Sequence, residues 1–519
     1  MRTFPYHTGM FEKGRSRPVR AALDFYEIQK RQGAKSLGVF ALLLAFYIFA
    51  FGGLILIGWT AVGALGGRLP FYSPGFWARF WMIDAAVSVF VALLQYYDAR
   101  KFGGSYILKR LDARIPDRSD RYHLAMENAV EEIRLAAGLP KVKSYVLPDW
   151  AVNSLAVIEA DGTPAVAVTE GLLADFARDE MEAVAAHEIA HIARGDAFLL
   201  TFVCAMANFF ERIREMFEPD FGEAAVPGTR RAQAGGSVVA AFAAMSSFVV
   251  RMLGVLISRE REFLADAAAV ELGRSPAALA RAIYKADVSN SFVGDFNRTY
   301  GPLFIVPPKA KGEIQDAAGH WTSTHPPIAR RMAVLAEMAH TTPEAIVAQI
   351  GDMRRDRDGA KLVFPAYEEI HRGAALPAGP PASGAASIGL CPRCRVPLAD
   401  TLYEGVSIRI CRQCLGKLVG QDVMDRILAR TEIGFSPALI RKAEELRQSQ
   451  KRNPLKSQMR LDRMSDRADC PACGYRLASR PYNYQYFIPV DKCLSCDRIW
   501  FDADELEILQ ILVEQAKAR

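Results

Sequence analysis

Two histidines four residues apart, with a glutamate directly after the first, stand at His187-Glu188-Ile189-Ala190-His191. On a helix, positions i and i+4 share a face, so both imidazoles can reach one metal ion. Glu188 is then placed to meet a water beside the metal, and not the metal itself. Zinc lowers the pKa of such a water from about 15.7 towards 7, so that a carboxylate can take its proton as the oxygen attacks a carbonyl. A catalytic zinc takes three protein ligands and keeps a fourth position open. The stretch Ser258-Arg259-Glu260-Arg261-Glu262-Phe263-Leu264-Ala265-Asp266 can supply the third from a separate helix, through Glu262. Asp266 lies one turn further on the same face, where it can accept a hydrogen bond from a ligand histidine and fix its tautomer. Alone, the histidine pair would be core histidines and the charged stretch an exposed helix. Together they form a ligand set.

A second metal chemistry lies after residue 390. Eight of the nine cysteines fall there, in four Cys-x-x-Cys pairs: Cys391/Cys394, Cys411/Cys414, Cys470/Cys473 and Cys493/Cys496. Gaps of 16 and 19 residues separate the paired knuckles, which suits two closed tetrahedral sites of four thiolates. Such clustering in a long chain points to zinc and a reducing compartment, not to a disulfide framework. The two quartets belong to an internal repeat, since Cys391-Pro-Arg-Cys394 with Leu398 recurs as Cys470-Pro-Ala-Cys473 with Leu477. The remaining thiol, Cys204, sits in an apolar stretch and reads as a core or lipid-facing residue. One catalytic and two structural zinc ions are therefore expected.

These groups need elements to hold them. Asp179 opens a helix through Met181, Val184, His187 and His191 that closes near Gly195. Before it, residues 155–160 and 165–169 read as strands joined by an Asp161-Gly162 turn. Residues 122–137 have helical periodicity that ends at Gly138 and Pro140. Further upstream, residues 36–67 carry no charge, a run longer than the roughly 20 apolar residues a bilayer-crossing helix needs. That length also argues against a cleaved signal peptide. A second run, 80–97, is interrupted only by Asp84, and the two read as a membrane hairpin. The first 35 residues hold eight Lys/Arg against three acids, and Arg100, Lys101, Lys109 and Arg110 follow the second run. The positive-inside rule puts both flanks in the cytoplasm. This bias accounts for the net charge of +6, which by itself does not indicate nucleic acid. Residues 197–257 form a less apolar helical pair that either spans the membrane or packs against it.

Three motifs occur in one order: His187 to His191, then Glu262-x-x-x-Asp266, then Thr324-His325-Pro326-Pro327-x-x-Arg330-Arg331. With Thr169-Glu170-Gly171-Leu172-Leu173 ahead of them, the sequence resembles the HtpX heat-shock protease and type I CAAX prenyl protease family of membrane gluzincins, over roughly residues 98–340. The resemblance implies a membrane-anchored zinc endopeptidase with protein or peptide substrates and a role in membrane-protein quality control. It also implies that Asn153 lies on the edge strand that aligns substrate, and that His325 helps to stabilise the tetrahedral intermediate. By residue type alone Asn153 would be a turn residue and His325 a loop histidine. The prenyl protease branch has more membrane spans than can be counted here, which disfavours prenylated-peptide processing. The tail resembles paired zinc ribbons of the transcription-factor-IIB type, which implies either a nucleic-acid-binding module or a protein-interaction or regulatory unit. Its basic stretch, with Arg441, Lys442, Arg447, Lys451 and Arg452, leaves nucleic acid or anionic lipid open, a solvated helix face being the plainer reading.

The expected fold is mainly α with a small antiparallel β-sheet, a zincin-like α+β catalytic domain on transmembrane helices, plus two small zinc-ribbon domains. In order, 1–35 is a basic cytoplasmic segment, 36–97 the membrane hairpin and 98–371 the peptidase domain. A flexible linker, 372–390, leads to ribbon 391–430, a basic helical connector 431–469, and ribbon 470–519 with a terminal helix. The expected location is a bacterial inner membrane with catalytic and ribbon domains cytoplasmic. The rival class is a membrane-tethered ribbon scaffold, or a nucleic-acid-binding protein, with a vestigial peptidase domain. An intact Glu188 argues against it, because a pseudoenzyme is free to lose that residue.

Overall fold

A computed structural model describes residues 41, 44–49, 51–53, 56, 75–217, 261–289, 300–308, 325–370, 388–452, 468–482 and 488–517. Its longest helix, α1 (Phe76–Arg110), has an apolar window of mean hydropathy 1.6, and is the one described helix long and apolar enough to cross a membrane by itself. Phe80, Asp84, Ser88, Ala92, Gln95 and Ala99 recur at helical spacing on its buried face, while Trp77, Trp81, Met82, Phe90 and Leu93 are exposed. An apolar exposed surface of this kind suits lipid better than water. Tyr47 packs on α1 with its hydroxyl on Gln95, but most of the first apolar run lies outside the described residues. The helix continues through Asp98, where a separate globular unit was expected to begin. Its lower end carries Gly104, where an added Cβ would lie 1.9 Å from the Ile158 carbonyl oxygen. Only glycine lets the helix pass so close to the catalytic sheet.

That sheet follows α2 (Arg121–Ala136), which is capped by Asp120 and ends at Gly138 in the left-handed conformation (φ +66°). Strands β1 (Lys143–Leu147), β2 (Ser154–Ile158) and β3 (Pro164–Thr169) lie in the order β1-β3-β2. The expected hairpin is β2–β3, with Gly162 at φ +81° in its turn. The sheet is mixed and not antiparallel, however, because β1 runs parallel to β3. Residues 148–153 carry the chain across the sheet before β2, which leaves β3 beside β1 in the same direction. Every residue of β2 and β3 is buried.

Helix α3 (Arg178–Ala193) lies against β2 and α2 and carries both histidines. At Gly195 the chain bends by 81° into α4 (Asp196–Phe217), which packs along α1. Helix α4 is the first arm of the weakly apolar pair, and the second arm, 238–257, lies outside the described residues. Helix α5 (261–273) brings Glu262, followed by α6 (Pro276–Ser289), α7 (Ile328–Met338) and α8 (Pro343–Ala360). Strand β4 (Leu362–Phe364) and a short helix at Tyr367–Ile370 end this part.

The tail builds β5 (Ala399–Tyr403), β6 (Val406–Ile410), β7 (Lys417–Gly420) and α9 (Met424–Ala429), then β8 (Ile433–Phe435) and α10 (Pro437–Arg452). The second repeat gives β9 (Leu477–Pro481), β10 (Pro489–Cys493), β11 (Arg498–Phe501) and α11 (Glu505–Lys517). Each repeat contributes three antiparallel strands, and β7 pairs with β11 to join them in one six-stranded sheet. Behind it Val419, Ile427, Ile499, Phe501, Leu509 and Leu512 form a shared core. Strand β8 pairs with β4, so the tail is also stitched to the segment that precedes the linker.

Candidate metal centre

Helix α3 turns His187 and His191 to one face, with their Nε2 atoms 3.2 Å apart. Helix α5 brings Glu262 across, its Oε2 3.7 Å from His187 Nε2 and its Oε1 3.5 Å from His191 Nε2. Tetrahedral zinc with nitrogen and oxygen ligands at about 2.0–2.1 Å sets donor–donor edges of about 3.3 Å. The three side chains are buried and their donor atoms lie within 4.8 Å of one another, so this donor set fits zinc. Asp266 Oδ1 stands 3.1 Å from His187 Nδ1, on the side away from the cluster. His325 Nε2 lies 3.7 Å from Glu262 Oε1. Glu188 faces β2, where the Ser154 hydroxyl donates to its Oε1 at 2.6 Å. Asn153 is buried at the head of β2, and its Nδ2 donates to the Val306 carbonyl at 2.8 Å. Residues 304–306 run beside β2 there, with Ile305 N donating to Ser154 O at 3.0 Å and Phe304 bridging Leu155. The side chain of Asn153 thus holds the chain's own segment along that edge.

Residues 123–339 match the model of peptidase family M48. A protease HtpX homolog from Dictyoglomus turgidum is 31% identical over 256 residues, which are 49% of this chain and 82% of the relative. The chain belongs to peptidase family M48. A protease HtpX homolog from Streptococcus uberis is 30% identical over 286 residues, 54% of this chain and 92% of that relative. Among solved structures, that of S. mikatae Ste24p is similar with a TM-score of 0.30 and 19% identity, over 60% of this chain and 67% of that one. So low a score carries no argument about this fold. The tail lies beyond the residues matched to the M48 family, which makes the chain a metallopeptidase with an added C-terminal unit.

The surroundings of the M48 centre are as specific as its donors. Burial pushes His187 down to about 4 despite Asp266, which favours the neutral imidazole that binds metals. Burial also acts downward on His191, but the nearby Asp196 and Glu262 carboxylates prevail and raise it. Burial lifts Glu188 to about 7, against the pull of His191 and Ser154. His325 is driven down to about 3 by burial and by the Arg331 charge. For Asp266 burial is outweighed by Arg331 and His187, which hold its carboxyl well below the usual range.

Arg331, Ser154 and Asp196 were not singled out for the site by sequence. Arg331 is fully buried and grips Asp266 with two bonds of 2.8 and 2.7 Å. Its Nη1 also lies 3.3 Å from Glu262 and donates to the Ile305 carbonyl at 2.8 Å. A signal existed, because it closes the third motif, but residue type does not separate it from Arg330, which stacks over Phe263. Asp196 follows Gly195 and stands 3.7 Å from His191 Nδ1. Ser154 had no signal beyond adjacency to Asn153.

Both cysteine quartets are assembled as their spacing required. Cys391 and Cys414 sulfurs are 3.6 Å apart, Cys470 and Cys496 3.6 Å, Cys473 and Cys493 3.5 Å. A disulfide needs about 2.05 Å, whereas four thiolates around zinc stand about 3.8 Å apart. Backbone N–H groups of Arg393 and Cys394 point at Cys391 Sγ, and that of Ala472 at Cys470 Sγ, which helps to stabilise thiolate charge. Cys204 is buried in an apolar cluster and belongs to none of the three groups that could hold a metal among the described residues.

Proposed function

We propose that this M48 metallopeptidase is a zinc-dependent endopeptidase, anchored in a bacterial inner membrane, that cuts protein chains at the cytoplasmic face in membrane-protein quality control. The observation that carries the reading is the convergence of His187, His191 and Glu262 with Glu188 beside them on the same helix turn. In this reading those three residues hold zinc, which supplies a Lewis acid that polarises the scissile carbonyl and makes nearby water acidic. Asp266, with Oδ1 3.1 Å from His187 Nδ1, favours the proton on that nitrogen and so leaves Nε2 as the metal-facing atom. Glu188, with Oε1 held by Ser154, takes the proton of the attacking water at its other oxygen and returns it to the leaving amine. His325 aims a nitrogen into the cluster and stabilises charge that develops on the carbonyl oxygen. Asn153 holds residues 304–306 against the head of β2 and so shapes the edge at which an extended substrate segment is received. The two cysteine quartets hold structural zinc, for three ions in all.

Membrane anchoring is supported by the exposed apolar surface of α1 and by the uncharged run before it. The Lys/Arg flanks of the hairpin and eight reduced thiols favour the cytoplasmic side. The test is Glu188→Gln, purified in detergent beside the wild type. Hydrolysis of an unstructured peptide should fall by roughly 10²–10⁴-fold, with bound zinc unchanged by elemental analysis. Comparable turnover in the variant would overturn the role of Glu188.

A further inference from the structure

The tail touches the peptidase through groups that a loosely tethered unit would have no reason to bury. Arg430 on the tail is fully buried, donating to Asp120 Oδ2 at 2.6 Å and to its own Glu404 carbonyl at 3.0 Å. Its guanidinium lies 4.4 Å from the centre of the Tyr122 ring. Arg426 meets Asp117 at 2.9 Å and Glu170 at 3.5 Å, and Glu170 in turn meets His123 at 3.0 Å. Around this pair Arg114 donates to the Asp422 carbonyl, and Arg121 reaches Glu432 at 2.7 Å. Asp120 caps α2, and Glu170 is the first residue after β3, so both grips sit on elements that frame the catalytic helix.

An apolar grip lies beside the ionic one. Trp150 packs against the tail's core. Its carbonyl is pressed against Gly171, where a Cβ would come within 2.1 Å of that oxygen. Three residues beyond Trp150 is Asn153, tied to Thr169 through its backbone N–H at 3.0 Å. One further is Ser154, whose hydroxyl holds Glu188. A short path therefore runs from the half-buried Trp150, through buried residues 151–154, to Glu188.

We propose that the double four-thiol unit is a fixed clamp on the peptidase, whose grip on Trp150, Asp120 and Glu170 sets Ser154 and hence Glu188. This rests on the peptidase reading above. Arg430, Arg426 and Trp150 are then positioning residues, and the metal state of the tail is transmitted to the rate of hydrolysis through them. A double-variant cycle on the full-length protein measures this coupling.

The full-length protein is made as Arg430→Met, Ser154→Ala and the double variant, with Asp120→Asn as a milder lesion that keeps the helix cap. The Arg430→Met protein should lose about tenfold in kcat with little change in KM, and Ser154→Ala should absorb most of that loss in the double variant. Amide exchange should quicken at residues 149–156 and 168–173, with zinc content unchanged. Asp120→Asn should show the same exchange pattern more weakly. Effects on kcat that multiply independently, or a tail freed at 424–430 with exchange at 149–156 unaltered, would overturn the clamp. If the wild type hydrolyses no peptide, the peptidase reading fails, while the exchange measurement still decides the clamp.

Discussion

The two kinds of candidate metal site in this chain are built to opposite specifications. His187, His191 and Glu262 come from two helices, with Asp266, His325 and Arg331 adding contacts from further along the sequence. All six side chains are buried and charged or polar, and each meets another member of the set. The thiol quartets are drawn from paired knuckles close in sequence, and Cys473 is exposed. A site that must orient a base and leave a ligand position open needs a fixed outer shell. A closed site needs only four thiolates and a few backbone donors. The difference teaches that the His/His/Glu cluster is assembled from helices far apart in sequence, whereas each quartet comes from two local knuckles and shares one buried cluster and one sheet with the other.

The largest effects should follow from that contrast. A strong chelator should strip the His/His/Glu site readily and abolish hydrolysis, while the quartets keep their metal and yield only to thiol modification. Glu262→Ala should remove about one of three zinc equivalents and all activity, leaving both quartets loaded. Elemental analysis alongside thiol titration checks this. Equal loss of all metals at one chelator concentration would erase the distinction between open and closed sites.

Arg331 offers the next sharpest test, because it stands in the shell and touches no proposed substrate position. Arg331→Met leaves Asp266 and Glu262 buried without their cation, a change that costs about 3–5 kcal/mol where a buried pair is broken. Loss of catalytic zinc and a clear fall in thermal midpoint should accompany the loss of activity. Metal content and midpoint equal to wild type would show that the shell is dispensable. His325→Ala should act more narrowly, lowering kcat by about 10²-fold with a smaller rise in KM, as expected for a group that works in the transition state. A dominant KM effect in steady-state kinetics would make it a binding residue.

What the sequence disclosed follows the same division. Ligands at fixed spacing were legible, since i and i+4 on a helix and Cys-x-x-Cys on a knuckle are local geometry. Elements with strong punctuation were also legible: the β2–β3 hairpin at Gly162, and α3 ending at Gly195. Strand β1 was missed because residues 143–147 are only half-buried at one end and carry Lys143 and Ser144. Its parallel pairing with β3 is a long-range choice that no local pattern records. The shell residues were legible only as members of a motif, or not at all, because Ser154 and Asp196 gain meaning from partners far away in sequence. The fusion of the two cysteine repeats through β7 and β11 was hidden for the same reason. Repeats announce themselves; how they pair does not.

The smallest expected effect lies at the seam between the two regions. Asp425 projects from α9 of the tail toward the peptidase, 3.9 Å from Arg114, with Glu170, Asp112 and Asp149 as acidic neighbours. Burial lifts its carboxyl to about 6, Arg114 opposing and the three acids adding to the rise. A raised carboxyl favours the docked state while protonated, so its benefit is complete below the ordinary value of 3.8 and is lost as pH rises through about 6. Asp117 works the other way: its bonds to Ser119 and Arg426 hold it low, and its contribution disappears only as pH falls below the ordinary carboxylate range. Of these two, Asp425 is the one whose contribution changes between pH 5 and 7.5. A third of its side chain reaches solvent, so the penalty at neutral pH is reduced to about 1 kcal/mol. Asp425→Asn should raise the thermal midpoint by about 2 °C at pH 7.5, and the gain should shrink steadily towards pH 5. Comparing variant with wild type at each pH cancels titrations elsewhere in the molecule. A gain that is independent of pH would mean that Asp425 is already solvated, and that the seam is looser than its buried arginine implies.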